Sequence, residues 1–250
     1  MRRFTFDGGI AQVLVKTLPL GVSVAYAPRG PLVPPERLAE AIAAVRDALA
    51  SERCASLLCD PEAPDDPALR ASLTRGGVRA SPVFVQPRRT LLMDLSKGNE
   101  ELLGAMRKKT RQYIHKAERA GVVTEETRDL DRFMKVLGAV GQRDRFAIRS
   151  RAYFEKLLSA FGDRALLMLA RVGEDDAGAM LRMRQLGVRR YDMYGLAEGA
   201  DDPLAGVENF KLGYGGEVVT WIGALETPVR RVLYPLWQLG ARRRLARSAA

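Results

Sequence analysis

Short β-rich runs alternate with amphipathic helical stretches along the whole chain, and that order restricts the fold to a mixed α/β architecture. Residues 13–18 and 22–26 are strand-like, separated by the turn Pro19-Leu20-Gly21. Pro34-Pro35-Glu36 opens a helix reaching about Ala50, with Leu38, Ile42, Val45 and Leu49 on one face. Residues 56–59 read as a strand, the proline- and acid-rich 60–66 as a loop, and 67–75 as a short helix ended by Gly76-Gly77. A strand at 90–95 is followed by capping residues at 96–99 and then one long helix running to Ala120 and closing at Gly121. Leu102, Leu103, Met106, Tyr113, Ile114 and Ala117 form its apolar stripe, and Arg107, Lys108, Lys109, Arg111, Lys116 and Arg119 its basic side. Helices at 129–140 and 151–161, strands at 165–171 and 178–183 around an acidic turn, and strands at 190–194 and 217–221 complete the series. The tail at 229–247 mixes Trp237 and leucines with arginines as a basic amphipathic helix.

A chain of 250 residues can bury a sizeable core, and 47% apolar with 28% charged residues excludes global disorder. Forty Lys and Arg against thirty Asp and Glu leave a net charge of +10, which favours anionic partners such as tRNA, nucleotide diphosphates or acidic lipid headgroups. The first ten residues lack an apolar run long enough for a signal peptide, and nowhere do eighteen uncharged apolar residues follow one another, so the expected compartment is the cytoplasm.

Several chemistries find no residues. The single histidine, His115, lies among arginines and lysines, which argues against a metal site and against a Ser-His-Asp or Cys-His nucleophile. Cys54 and Cys59 flank an apolar run without further ligands and read as reduced core thiols. No G-x-G-x-x-G or G-x-x-x-x-G-K-[ST] loop occurs. No cofactor is implied.

Four longer segments carry a specific signal: Tyr26-Ala27-Pro28-Arg29-Gly30-Pro31; the stretch 90–122, TLLMDLSKGNEELLGAMRKKTRQYIHKAERAGV; the stretch 143–157, RDRFAIRSRAYFEKL; and Tyr191-Asp192-Met193-Tyr194-Gly195 followed by Phe210-Lys211-Leu212-Gly213-Tyr214-Gly215-Gly216. In this order they resemble the Fem-type (FemABX) peptidoglycan bridge aminoacyltransferases. The resemblance implies tandem GNAT-like domains with mixed sheets and a substrate cleft between them, an aminoacyl-tRNA donor, and as acceptor the stem-peptide amine of a UDP-MurNAc-peptide or of lipid II.

Aminolysis of an aminoacyl ester passes through a tetrahedral oxyanion, which calls for orientation and a fixed positive charge rather than a nucleophile. The resemblance assigns that charge to Lys211, with a solvated lysine at a helix end as the alternative, places Phe210 beside the ester or the tRNA terminus, with a core aromatic as the alternative, and gives Arg149 and Tyr153, one helical turn apart, the diphosphate-sugar end of the acceptor. Arg151 competes with Arg149 for that role, and ion pairing with Asp144 or Glu155 is the alternative use of these arginines. Tyr191 and Tyr194 are further substrate-binding candidates. Arg107, Lys108 and Arg111 are candidates for tRNA phosphates, or a solvated face.

The expected domains are 1–124, an N-terminally shortened GNAT-like domain; 125–228, a second one; and 229–250, a basic helix that returns to the first domain or meets an anionic membrane surface. Fem-type proteins begin with a further strand and helix carrying a substrate-binding lysine, for which this chain has no counterpart. They also carry a strand and a long helix after the segment matching 178–183, where this chain runs through Arg184-Gln185-Leu186-Gly187 almost directly to Tyr191. A sheet surface uncovered by that gap could be buried by dimerisation. The competing functions are an acyl-coenzyme A-dependent GNAT-like N-acyltransferase and an inactive shortened paralogue that binds tRNA, membrane or a complete enzyme.

Overall fold

The computed structural model describes residues 1–18, 21–144, 148–183, 188–199, 202, 205–235 and 237–240. The chain condenses into two compact units whose segments interleave: 1–92, 192–211 and 217–250 form one, and 93–191 with 212–216 form the other.

In the first unit, Arg2–Phe6 (β1), Gly9–Thr17 (β2), Ser23–Ala27 (β3), Cys54–Cys59 (β4), Arg79–Ala80 (β5) and the late strand Leu225–Pro228 (β12) form a six-stranded sheet of order β1-β2-β3-β4-β12-β5. Its β3–β4 pair is parallel, and the other pairs are antiparallel. A parallel neighbour requires a crossover, here helix Leu38–Ala48 (α1). The expected stripe Leu38, Ile42, Val45 and Leu49 is fully buried against Val13, Ala25, Leu57 and Leu225. Every residue of β4 is buried, which explains why it is apolar except for Ser56, whose hydroxyl donates to the Thr227 carbonyl on β12. Both cysteines are free thiols in this core, and burial pushes each one's pKa up. Helix Pro67–Arg75 (α2) begins where expected, its first turn capped by Asp66 accepting the Leu69 N–H at 2.8 Å.

Besides the two-residue β5, three strands escape the sequence pattern. β1 is an edge strand that opens with two adjacent arginines, Arg2 and Arg3, and β12 buries Glu226, whose carboxylate accepts hydrogen bonds from the Tyr234 and Ser81 hydroxyls. The third, Val122–Thr127 (β7), pairs only through one edge, with Ala165–Val172 (β8), which in turn pairs with Asp175–Met183 (β9).

That antiparallel sheet belongs to the second unit. Helices Leu130–Asp144 (α5) and Arg151–Phe161 (α6) cover it, with Leu130, Phe133 and Phe154 packed on the buried Leu167. The Phe133 and Phe154 rings meet edge to face at 5.2 Å. Arg132 on α5 clamps Asp176 across the hairpin and Glu125 on β7.

The long helix expected over 99–120 is two helices, Asn99–Ala105 (α3) and Lys108–Arg119 (α4). Met106 and Arg107 between them are extended, with ψ of 149° and 145°. The break has identifiable partners. The Arg107 N–H donates to the Gly213 carbonyl at 2.9 Å, the Arg111 guanidinium caps the Gly104 and Met106 carbonyls at the end of α3, and the Gly215 backbone closes onto Ala105. The expected apolar stripe therefore does not form one core face, and neither helix has a buried residue.

Strand Arg89–Asp94 (β6) carries the chain from the first unit into the second and lies in a further sheet of order β10-β6-β11, with Arg190–Asp192 (β10) and Glu217–Thr220 (β11). Helix Ala205–Leu212 (α7) carries Phe210 and Lys211. The stretch 184–187, where this chain is expected to lack the family's further strand and helix, lies outside the described residues, as do 145–147 of the third motif and 241–250 of the tail. What is described of the tail packs on the first unit, with Tyr234 buried and Val229 N–H donating to the Ala55 carbonyl at 3.1 Å. No helix among the described residues is long and apolar enough to cross a membrane.

Candidate functional site

Residues 191–195 make a tight turn because Tyr194 and Gly195 both adopt left-handed backbone, φ 54° and 58°. Asp192 holds it: one carboxylate oxygen accepts the Tyr194 N–H at 2.8 Å and the hydroxyl of the fully buried Thr90. Arg29, itself at φ 51°, brings its guanidinium to 3.6 Å from the other Asp192 oxygen and 3.8 Å from Glu62. The Arg29 N–H is taken by the buried Asp60 at 2.8 Å, which also accepts the Tyr26 hydroxyl at 2.6 Å. The first motif thus reaches the fourth through Arg29 and Asp192.

The turn presents two carbonyls in one direction, and Lys211, in the last turn of α7, donates to both, Tyr194 and Gly195, the latter at 2.6 Å. An ammonium has three N–H groups, so one stays without a partner among the described residues. Burial lowers the pKa of Lys211, and the nearby Asp192 charge acts in the opposite direction. Arg89 ties α7 to the same framework through the Ala197 carbonyl and, at 3.4 Å, Glu208. Phe210 is exposed on α7 and Tyr194 on its turn.

Asp192, Thr90 and Arg29 were not singled out from the sequence. The signal existed for Asp192, since an aspartate two residues before a Tyr-Gly pair is the usual Asx-turn arrangement. For Arg29 and Thr90 only folding supplies the neighbour.

In the second unit Ser150 caps α6 by accepting the Tyr153 N–H at 3.4 Å. The Arg149 guanidinium lies 5.6 Å from the centre of the Tyr153 ring and has no carboxylate partner among the described residues. Arg151 is instead paired with Glu155 at 2.8 Å and with Asp131. The two arginines are therefore separated by their surroundings: among the described residues Arg149 has no carboxylate partner, and Arg151 has two. Tyr191 lies near Tyr214, whose pKa is raised by burial first and then by Tyr191. Of the basic candidates, Arg107 and Lys108 are exposed, whereas Arg111 is engaged on the carbonyls that end α3. His115 is exposed beside Glu118 at 3.0 Å.

These features define a class of mixed α/β protein in which a lysine at a helix end is seated on the carbonyls of a Tyr-Gly turn. The FemAB family matches residues 76–186 and 176–242, and the chain belongs to that family. It is 26% identical over 179 residues to lipid II:glycine glycyltransferase of Staphylococcus aureus, an alignment spanning 64% of this chain and 42% of the relative. The chain thus spans less than half the length of the curated relatives it matches. Among solved structures it resembles the crystal structure of FemX with a TM-score of 0.80 at 18% identity, covering 95% of this chain and 89% of that one. The structure of L-PGS from Bacillus licheniformis gives 0.50 at 12% identity, covering 98% and 89%. At such identities these structures establish a shared fold.

Proposed function

We propose that this protein is an aminoacyltransferase that moves an amino acid from charged tRNA to the stem-peptide amine of a peptidoglycan precursor. Membership of the FemAB family and the name of the S. aureus relatives support a cell-wall precursor as acceptor, lipid II in the first instance, and glycine as the residue to try first. The observation that carries the reading is Lys211, a half-buried ammonium fixed on two carbonyls with one N–H left over.

The acceptor amine attacks the ester carbonyl of the aminoacyl-tRNA. A C–N bond forms, the carbonyl oxygen becomes an oxyanion, and the remaining N–H of Lys211 stabilises it. Collapse breaks the C–O bond, and the proton lost by the amine goes to the departing ribose oxygen. Seating Lys211 beforehand means that little reorganisation is needed as charge develops. Phe210 would pack against the tRNA terminus, with Tyr191 and Tyr194 as further substrate contacts. Arg149, over the Tyr153 ring, would grip the acceptor diphosphate, a role that suits it better than Arg151, which is already paired with Glu155 and Asp131. Arg107 and Lys108 would meet tRNA phosphates, with Arg111 holding the helix break that orients them.

The test is transfer of labelled glycine from glycyl-tRNA to lipid II and, separately, to a UDP-linked muropeptide, by the purified chain. Labelled peptide with either acceptor is expected. Absence of product with both, under conditions where the S. aureus relative is active, would overturn the proposal.

A further inference from the structure

The first unit also contains a cavity of 780 Å3 where the end of α1, the α2–β5 turn, β12 and the tail converge. Arg46, Arg75, Arg79 and Arg231 line it with Tyr234 and Gln238, and no carboxylate is among its lining residues. None of these residues belongs to the Lys211 turn or to the Arg149–Tyr153 pair.

Four guanidinium groups around one concavity repel one another, so their placement needs a cause. A basic chain can scatter arginines over its surface; some of those elsewhere are paired, Arg37, Arg70, Arg88, Arg128 and Arg132 each reaching an aspartate or glutamate, and others, such as Arg149, have no carboxylate partner among the described residues. In the cavity only Arg46 has such a partner, its neighbour Asp47. Arg75, Arg79 and Arg231 have none among the described residues. Glu226 stands opposite Arg79 in the β12–β5 ladder, but its carboxylate is turned to the Tyr234 and Ser81 hydroxyls. The Tyr234 hydroxyl is pushed up to about 12 by burial and by that carboxylate, so the cavity floor stays a neutral phenol. Arginine in place of lysine supplies planar donor forks that match phosphate oxygens two at a time. The volume is that of a small-molecule site, which typically falls at about 300–1,000 Å3, and exceeds what a lone phosphate fills. The buried Tyr234 ring and Val229 give an organic moiety something apolar to rest on.

We propose that this cavity binds a small organic anion bearing a diphosphate, held by Arg75, Arg79 and Arg231. The diphosphate could belong to a soluble nucleotide or to a lipid headgroup, and the recognition chemistry is the same. The site is independent of the transfer reaction proposed above.

The test is calorimetric titration of the full chain with inorganic pyrophosphate, repeated with R75A, R79A, R79K and R149A, each checked for native circular dichroism. Saturable binding is expected, weakened roughly tenfold or more in R75A and R79A, since each removes a charged hydrogen-bond donor pair. R79K should recover only part of it, and R149A, which removes only the separate contact proposed for the acceptor diphosphate, should leave the Arg79-dependent component intact. Flotation with phosphatidylcholine vesicles carrying undecaprenyl diphosphate then separates the sources. Arginine-dependent capture assigns the lipid, and its absence alongside pyrophosphate binding assigns a soluble ligand. No saturable pyrophosphate binding, or binding lost in R149A and kept in R79A, would overturn the proposal.

Discussion

Gly121 and Gly215 have nearly the same backbone, φ 74° and 75°, in the same compact unit, but different surroundings. A Cβ on Gly121 would meet nothing within 4 Å, whereas one on Gly215 would lie 2.5 Å from the Ala105 carbonyl oxygen and 2.9 Å from its carbon. The paired substitutions G121A and G215A therefore separate backbone strain from collision. Left-handed backbone costs alanine about 1–2 kcal/mol, partly offset by about 0.4–1 kcal/mol from a stiffer unfolded chain, so G121A should lose about 1 kcal/mol. G215A bears the same strain, and its collision partner is backbone, which cannot swing aside. Overpacking adds about 1–3 kcal/mol, for a total of about 2–4 kcal/mol. With a urea m value of about 2 kcal/mol/M, the midpoint should fall by about 0.5 M in G121A and about 1–2 M in G215A. Circular dichroism and tryptophan fluorescence against urea measure both. Equal losses would refute the claim that the Gly213–Gly216 loop is seated on the break between α3 and α4.

Truncating Leu167, fully buried beneath Phe133 and Phe154, should cost about 2–5 kcal/mol in L167A by the same unfolding assay; a loss below 1 kcal/mol, about that of an exposed site, would contradict the assigned core. Arg132 holds the Asp176 carboxyl below its ordinary range, so that contribution is present above the unfolded pKa of about 3.9 and disappears as pH falls through the depressed value. R132A should therefore melt lower than the wild type near neutrality and converge with it in acid, and a gap independent of pH would exclude the ion pairs as its cause. If Lys211 acts as an ammonium, transfer should decline with rising pH below the ordinary lysine pKa of about 10.4, because burial lowers its pKa. K211M should reduce the rate by about 10²–10³, and D192N, which removes the charge opposing that shift, should move the decline to lower pH. An unmoved pH profile in D192N would sever Asp192 from Lys211.

Much of the local architecture was determined by the amino-acid order itself. The α1 stripe could be read because only a 3.6-residue period places Leu38, Ile42, Val45 and Leu49 on one face. Helix α2 was legible from the loop before Pro67 and the Gly76-Gly77 pair after it, and folding adds the Asp66 cap. The Phe-Lys and Tyr-Gly segments stood out as motifs before any partner was visible. Tertiary structure decided what depends on residues distant in sequence. Strand β12 carries Glu226 at a buried position, which no hydropathy pattern anticipates, because the Tyr234 and Ser81 hydroxyls that satisfy it are brought by other elements. The helix expected to continue from 99 to 120 is broken by a loop more than ninety residues further on. Interleaving of 192–211 and 217–250 with the first 92 residues lies equally beyond a linear reading. Lys211 itself was chosen from its motif, but its seat on two carbonyls, the Asp192 that holds the turn and the Arg29 behind it exist only after folding. Side-chain period and capping are properties of neighbours along the chain, whereas hydrogen-bond satisfaction of buried polar groups is a property of neighbours in space.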